Sequence, residues 1–360
     1  MITVVVKDAL RARVEAASGG AQTVLYTRRG QPSHVNIILR EHLGLGEHPA
    51  FMLRGQPRQE FFYGTYPGVI RDGELLSLPG QPPASGIDFA TASRAARACG
   101  GGWHLSTNAE RAALMRWGNA QGLASQGNTD HGRDIRDGAA HGRRVDAAVS
   151  GDPAGNPATL TGSGPDSWRH DHTPHGIADL CGNLWEWQAG LRLVDGEIQI
   201  IADNDAAHAD LAADSPAWMA VRLRDGSLVP PGTPGSAKFD APTRRRDGNA
   251  GAPQLSDAII HYVGQAGSDA NTPGLMDAPF RDITAAAGIS PPSLLIALGV
   301  FPDARVRDRA QAYLRNHGER LFMSGGAWYS GCDAGLNALC LSHPRSHFSA
   351  TVGARPAFLL

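Results

Sequence analysis

Apolar and polar positions along this chain recur with two periods, and the places where the period changes mark its elements. Ile2-Thr3-Val4-Val5-Val6 is a β-branched run that predicts a strand. A short helix is expected over residues 8–17 and a second strand over residues 23–27. Phe61-Phe62-Tyr63-Gly64-Thr65-Tyr66 predicts an aromatic strand. Asp88 can cap a helix in which Phe89, Ala92, Ala96 and Cys99 form one apolar face, and Gly100-Gly101-Gly102 ends it. Thr107-Asn108-Ala109-Glu110 is a capping box, with Ala113, Leu114 and Trp117 on the buried side of the helix it opens. Gly- and Asp-rich loops are expected over residues 118–175.

Trp185 and Trp187 alternate with Glu186 at strand period, which places both indoles on one core-facing side. Glu186 points the other way, as an exposed charge or, near Asp179 and turn carbonyls, as an oxygen ligand for a hard cation. A strand follows over residues 197–201. Residues 202–318, rich in Pro, Gly and Asp, read as a long insertion in a loop, with one helical piece at 306–316. Residues 1–47 read as a small separate element, residues 48–360 as the main domain, and Pro356 to Leu360 as packed.

Composition narrows the function classes. Hydrophobic residues make up 42% of the chain, enough for a core, while 44 glycines and 24 prolines favour turns and short strands over long helices. A net charge of −2 supplies no basic stripe, so no nucleic-acid partner is expected. Arg244-Arg245-Arg246 lies among Pro and Gly and reads as a solvated loop. No apolar run reaches the length of a membrane span. The opening residues meet Lys7 and Asp8 too soon for a secretory signal, so synthesis in the cytoplasm is expected.

Candidate chemistry is sparse before the C-terminus. Cys99, Cys181, Cys332 and Cys340 have no CxxC spacing; Cys99 and Cys181 read as buried, Cys332 as an exposed thiol without a base. His170-Asp171-His172 with His175 matches no zinc spacing and reads as a solvated loop. No nucleophile elbow, phosphate-binding loop or dinucleotide fingerprint is present. Near the end, Ala327, Tyr329, Ser330, Cys332, Asp333, Asn337, Cys340, Ser342, His343, His347, Phe348, Ser349 and Thr351 form a chemically mixed set. Taken alone they read most simply as a loop between strands. On a fixed frame they are what a recognition surface needs.

Four segments, in order, resemble one family. Gly102-Trp103-His104-Leu105-Ser106-Thr107-Asn108-Ala109-Glu110 is similar to the "R-L-P-T-E-A-E" helix start of formylglycine-generating-enzyme-like domains. Gly182-Asn183-Leu184-Trp185-Glu186-Trp187 resembles their "G-N-V-W-E-W", Gly325-Gly326-Ala327-Trp328 their "G-G-S-W", and Val352-Gly353-Ala354-Arg355 their "I-G-F-R". The resemblance implies an α+β, C-type lectin-like fold of the formylglycine-generating-enzyme (sulfatase-modifying-factor) subtype. It also implies a calcium site at Asp179, Gly182, Leu184 and Glu186, with no other cofactor required.

The closing region resembles the variable proteins of diversity-generating retroelements, phage tropism determinants among them. Asp333 to Ser346 is similar to their template pattern "N-A-G-x-x-A-L-N-L-N-N-x-R-S". The resemblance implies that the thirteen mixed positions are diversified and bind a ligand, a cell-surface protein or glycan, in a virion or the cytoplasm. Residues 1–47 would then attach the domain to an assembly or oligomerise it. The rival is an oxidoreductase of the sulfatase-modifying or iron-dependent sulfoxide-synthase kind. The cysteine pair of the first falls here on Ser330 and Gly335, and no histidine-rich iron motif is present, so catalysis is not expected.

Overall fold

The computed structural model describes residues 8–124, 126–244, 248–263 and 274–360. The strand expected at residues 2–6, and Arg245 and Arg246 of the basic run, lie outside them. The chain is mixed α and β, mostly sheet, and the larger sheet curls into a half-barrel.

The smaller sheet joins early strands of the chain to its last one. Helix α1 (Ala9–Ala17) starts where Asp8 accepts the Arg11 N–H at 2.8 Å. Strands β1 (Gln22–Tyr26) and β2 (Pro32–Leu39) follow, then β3 (Glu60–Gly64) and β4 (Trp103–Leu105). Together with the last strand, Pro356–Phe358, they form one antiparallel sheet, in the order β1, β2, β3, last strand, β4. The expected division at residue 47 therefore does not divide this sheet, because β2 pairs with β3 from Val35↔Gly64 to Leu39↔Glu60. The β2 strand was not anticipated; its buried positions include Ser33 and Asn36, which break apolar alternation.

Two helices pack against the sheets. Helix α2 (Phe89–Ala98), capped by Asp88, buries Phe89, Ala92, Ala95 and Ala96, the expected face. Phe89 meets Trp187 edge-on at 5.9 Å. Both rings are within 1% of full burial, which stabilises the fold by roughly 2–3 kcal/mol per ring. Helix α3 (Asn108–Gln121) opens with the capping box: Thr107 Oγ1 accepts from Glu110 N at 3.1 Å, and Glu110 Oε2 accepts from Thr107 N at 3.0 Å. Glu110 Oε1 also accepts from Asn204 Nδ2 at 3.0 Å, tying the helix start to a distant loop. Gly122, in the left-handed region at φ 67°, ends the helix.

The larger sheet is built on β5 (Trp185–Val194) and β6 (Glu197–Ile201). Residues 202–318 correct the sequence expectation: they are not a loop but supply strands to both ends of this sheet. Strands β7 (Trp218–Val221), β8 (Lys238–Asp240) and β9 (Gln254–Ser256) lie beyond β6. At the other end β10 (Met276–Pro279) and β11 (Gln311–Leu314) flank the hairpin of β12 (Glu319–Gly325) and β13 (Gly335–His343). The helix expected at 306–316 is thus a strand. Ala312 and Leu314 point inward at 0% exposure while Gln311 and Tyr313 are half-buried, which is period two, and β11 runs parallel to β13. The short helix of this region lies earlier, at α4 (Ser293–Ala297). Buried Asn316 accepts from Val263 N and donates to the Phe239 and His261 carbonyls, so a polar side chain knots the segment together. Strand β14 (Val352–Ala354) runs parallel to β5, and β15 (Pro356–Phe358) is the strand that closes the small sheet.

Candidate ligand-binding surface

The surface is carried by residues 327–351, between two anchors that the fold holds still. The first anchor is the turn after β12. Gly325 and Gly326 have φ of 100° and 93°, and a Cβ on Gly326 would lie 2.6 Å from the Ala334 Cβ. The Gly325 carbonyl accepts from Gly182 N at 3.0 Å, and Trp328 N donates to the Asn183 carbonyl at 3.1 Å. Asn183, itself at φ 62°, uses its side-chain oxygen to accept from Asn128 Nδ2 and Thr159 N at 3.1 and 2.8 Å. Gly331 N donates to the Thr129 carbonyl at 2.9 Å.

The second anchor is Arg355, 0% exposed. Its Nε and Nη2 donate to both oxygens of Glu186 at 3.0 and 2.6 Å, its Nη1 to the Gly64 carbonyl at 3.0 Å, and Nη2 also to the Ala178 carbonyl at 2.9 Å. One guanidinium therefore joins both sheets and the 178–186 turn. Trp185 N donates to the Thr351 carbonyl at 2.9 Å, which fixes the far end of the segment.

This arrangement corrects the reading of Glu186. It is 4% exposed, so it is not a solvated charge, and both of its oxygens accept from Arg355. Asp179, whose pKa burial pushes up, accepts from Gly162 N at 2.7 Å. Gly182 and Leu184 are buried beside them as backbone of the turn. A calcium ion takes six to eight oxygens; of the four positions expected to hold one, Glu186 has both carboxylate oxygens engaged by Arg355 and would have to share them. Trp185 and Trp187 share one buried cluster, as alternation predicts. His170, expected in a solvated loop, is instead packed on Trp117 at 5.3 Å, where burial lowers its pKa to about 4. Among the described residues no group of three or more His, Cys, Asp or Glu could hold a metal ion.

The thirteen mixed positions divide. Tyr329, Cys332 and Phe348 are exposed, Tyr329 to 57% and Phe348 to 68%. Ser330, Asp333, His343, His347 and Ser349 are half-buried. Ala327, Asn337, Cys340, Ser342 and Thr351 are buried, against expectation. The reason lies in the 202–318 segment: β11 covers one edge of β13, so this strand is interior. Cys340 and Ala327 join the core, and Asn337 exchanges hydrogen bonds with Asn119.

Two of the half-buried side chains hold the segment's own backbone: Ser330 Oγ accepts from Ala327 N at 2.9 Å and Ser349 Oγ from Thr351 N at 3.3 Å. Tyr329 stands edge-on to Trp328 at 6.5 Å. Asp333 accepts from the Tyr313 hydroxyl at 3.4 Å. His343 and His347 stack at 3.9 Å, and burial holds the pKa of both down, that of His343 to about 3. Of the thiols, burial raises Cys99 and Cys181 to about 12 and pushes Cys340 up as well. None of those three is a ready thiolate.

Two features escaped sequence reasoning. Ile135, 46% exposed, sits next to the turn at Gly331, because its N–H donates to Thr129 Oγ1 while the Thr129 carbonyl holds Gly331. A cleft of about 680 Å³ opens among Arg222, Arg224, Asp257 and Ser290. No local pattern announces either, since each is assembled from separate segments. No protein-family model matches the chain, and no curated protein is significantly similar to it.

Proposed function

We propose that this chain is a ligand-binding protein that displays a diversified combining surface on a C-type lectin-like scaffold, in the manner of retroelement variable proteins. The observation that carries this reading is the separation of frame from display. Between the Gly325-Gly326 turn and Arg355, main-chain hydrogen bonds and buried residues hold the backbone, while Tyr329, Cys332 and Phe348 project with no structural duty. Two exposed aromatics flanked by Ser330, Asp333, His343, His347 and Ser349 offer the anchors and polar contacts from which interfaces draw most of their energy. The ligand class is a cell-surface protein or glycan. Both oxygens of Glu186 accept from Arg355, and the reading requires no cofactor; a structural calcium ion at Asp179, Gly182, Leu184 and Glu186 is left to a chelator melt. Buried, high-pKa thiols speak against thiol chemistry at Cys99, Cys181 and Cys340.

Binding of the full chain to glycan arrays and to a panel of intact bacterial cells identifies the ligand. Tyr329→Ser and Phe348→Ser should then each weaken binding by ten-fold or more, about 1.4 kcal/mol. Stability should stay within about 0.5 kcal/mol of the parent. Binding unaffected by both changes would remove the surface from this segment. The DNA beside the gene tests diversification: a reverse transcriptase gene and a near-copy of codons 325–355 differing chiefly at adenines are expected there. Their absence would leave a binding protein without the retroelement.

A further inference from the structure

The cleft of about 680 Å³ falls within the roughly 300–1,000 Å³ that small-molecule sites occupy. Its walls are the turn after β7, the turn before β8, the residue that follows β9, and residues 288–290. None of its lining residues belongs to the 327–351 segment.

Hydrogen bonds fix these walls without closing the space between them. In the first turn Asp225 accepts from Ser227 N and Oγ at 3.0 and 2.6 Å and from Arg224 Nη2 at 3.2 Å. In the second, buried Glu197 accepts from Gly232 N at 3.0 Å and from Ser236 Oγ at 2.6 Å. Leu223 N donates to the Gly235 carbonyl at 3.0 Å and so joins the two turns. Lys238 Nζ donates to the Asp257 carbonyl at 3.0 Å and holds the third wall. A cleft fixed in advance spares a ligand the entropy of ordering it.

The lining is amphipathic. Leu223 and Ile289 belong to the main hydrophobic core and bring hydrocarbon to the cleft. Asp225 is already satisfied by Ser227 and Arg224, which leaves Arg222 poorly matched. Among the described residues its guanidinium meets one carboxylate, Asp225, at 3.8 Å, and makes no hydrogen bond. A planar guanidinium beside hydrocarbon offers two parallel N–H groups to a carboxylate. Asp257 lines the same cleft and disfavours a second negative charge on the ligand. We propose that this cleft binds a small organic monocarboxylate with a hydrocarbon or ring body, its carboxylate on Arg222 and its body against Leu223 and Ile289. The inference does not depend on what residues 327–351 bind.

The test uses the full chain and ligand-observed NMR with a panel of aryl and branched-chain monocarboxylates, each paired with its neutral amide. At least one acid should bind saturably, and its amide should bind weaker by about ten-fold or more. Arg222→Gln should weaken the acid by about ten-fold as well. Ser290→Trp, at an exposed position, should fill the cleft and abolish binding. Both variants should melt with the parent, and Tyr329→Ser should leave the acid's affinity unchanged. A panel without a saturable binder overturns the proposal. So does an amide that binds as tightly as its acid, or a binder indifferent to either Arg222→Gln or Ser290→Trp.

Discussion

Arg355 and Glu186 lie 169 positions apart in sequence and form the most consequential pair in the molecule. Burial raises the cost of each charge, and the bidentate geometry with two further carbonyl bonds offsets it. Removing one partner leaves the other buried and uncompensated. Arg355→Met is therefore expected to lower unfolding free energy by about 3–5 kcal/mol in urea titrations, and Glu186→Leu by a similar amount. The double variant should lose clearly less than the sum, because the second change removes the orphaned charge. Additive losses would show that the two side chains do not act as a pair.

At the level of elements, the β12–β13 hairpin decides whether residues 327–351, the proposed combining segment, keep their place. Its turn needs two successive residues at positive φ, with the Ala334 Cβ close by. Gly326→Ala combines a backbone strain of roughly 1–3 kcal/mol with a steric overlap. The expected result is a marked drop in melting temperature. Cys332→Ala, on the exposed 3-10 turn a few residues later, should change stability by no more than about 0.5 kcal/mol. If Gly326→Ala melts with the parent, the turn is not a rigid anchor, and the separation of frame from display fails with it.

Across the whole molecule, acid should unfold the chain through its histidines. Burial holds His48 and His170 at about 4 and His343 at about 3, far below the ordinary value of 6.5. As pH falls below 6.5 the unfolded chain takes up protons that the folded chain refuses. Their stabilising contribution is complete above 6.5 and is lost between there and about 4 for His48 and His170, and about 3 for His343. Each fully titrating histidine removes at most about 1.4 kcal/mol per pH unit. Asp179 and Asp308, raised by burial, work against this trend. Glu319 adds to it at lower pH, since its ion pairs with Arg345 and Arg192 outweigh burial and hold its pKa down. Urea midpoints measured from pH 7 to 4.5 should fall steadily, and His48→Gln should flatten the slope. A constant midpoint over that range would mean that these rings are solvated.

Local signals were readable from the amino acids. The capping box at Thr107–Glu110, the Asp88 cap, the Trp185–Trp187 alternation and the glycine pair at 325–326 each act within a few residues, so spacing alone reveals them. Three matters waited for the folded chain. Glu186 reads as a solvated charge until Arg355 arrives from the end of the chain and buries it. Residues 202–318 read as loop because their strands are short and broken by Pro and Gly, and only sheet pairing gives them a period. Asn337, Cys340 and Ser342 read as surface until β11 is laid along β13. Spacing reports which face of an element a side chain occupies, but what covers that face depends on partners far away in sequence, and burial follows from the partners.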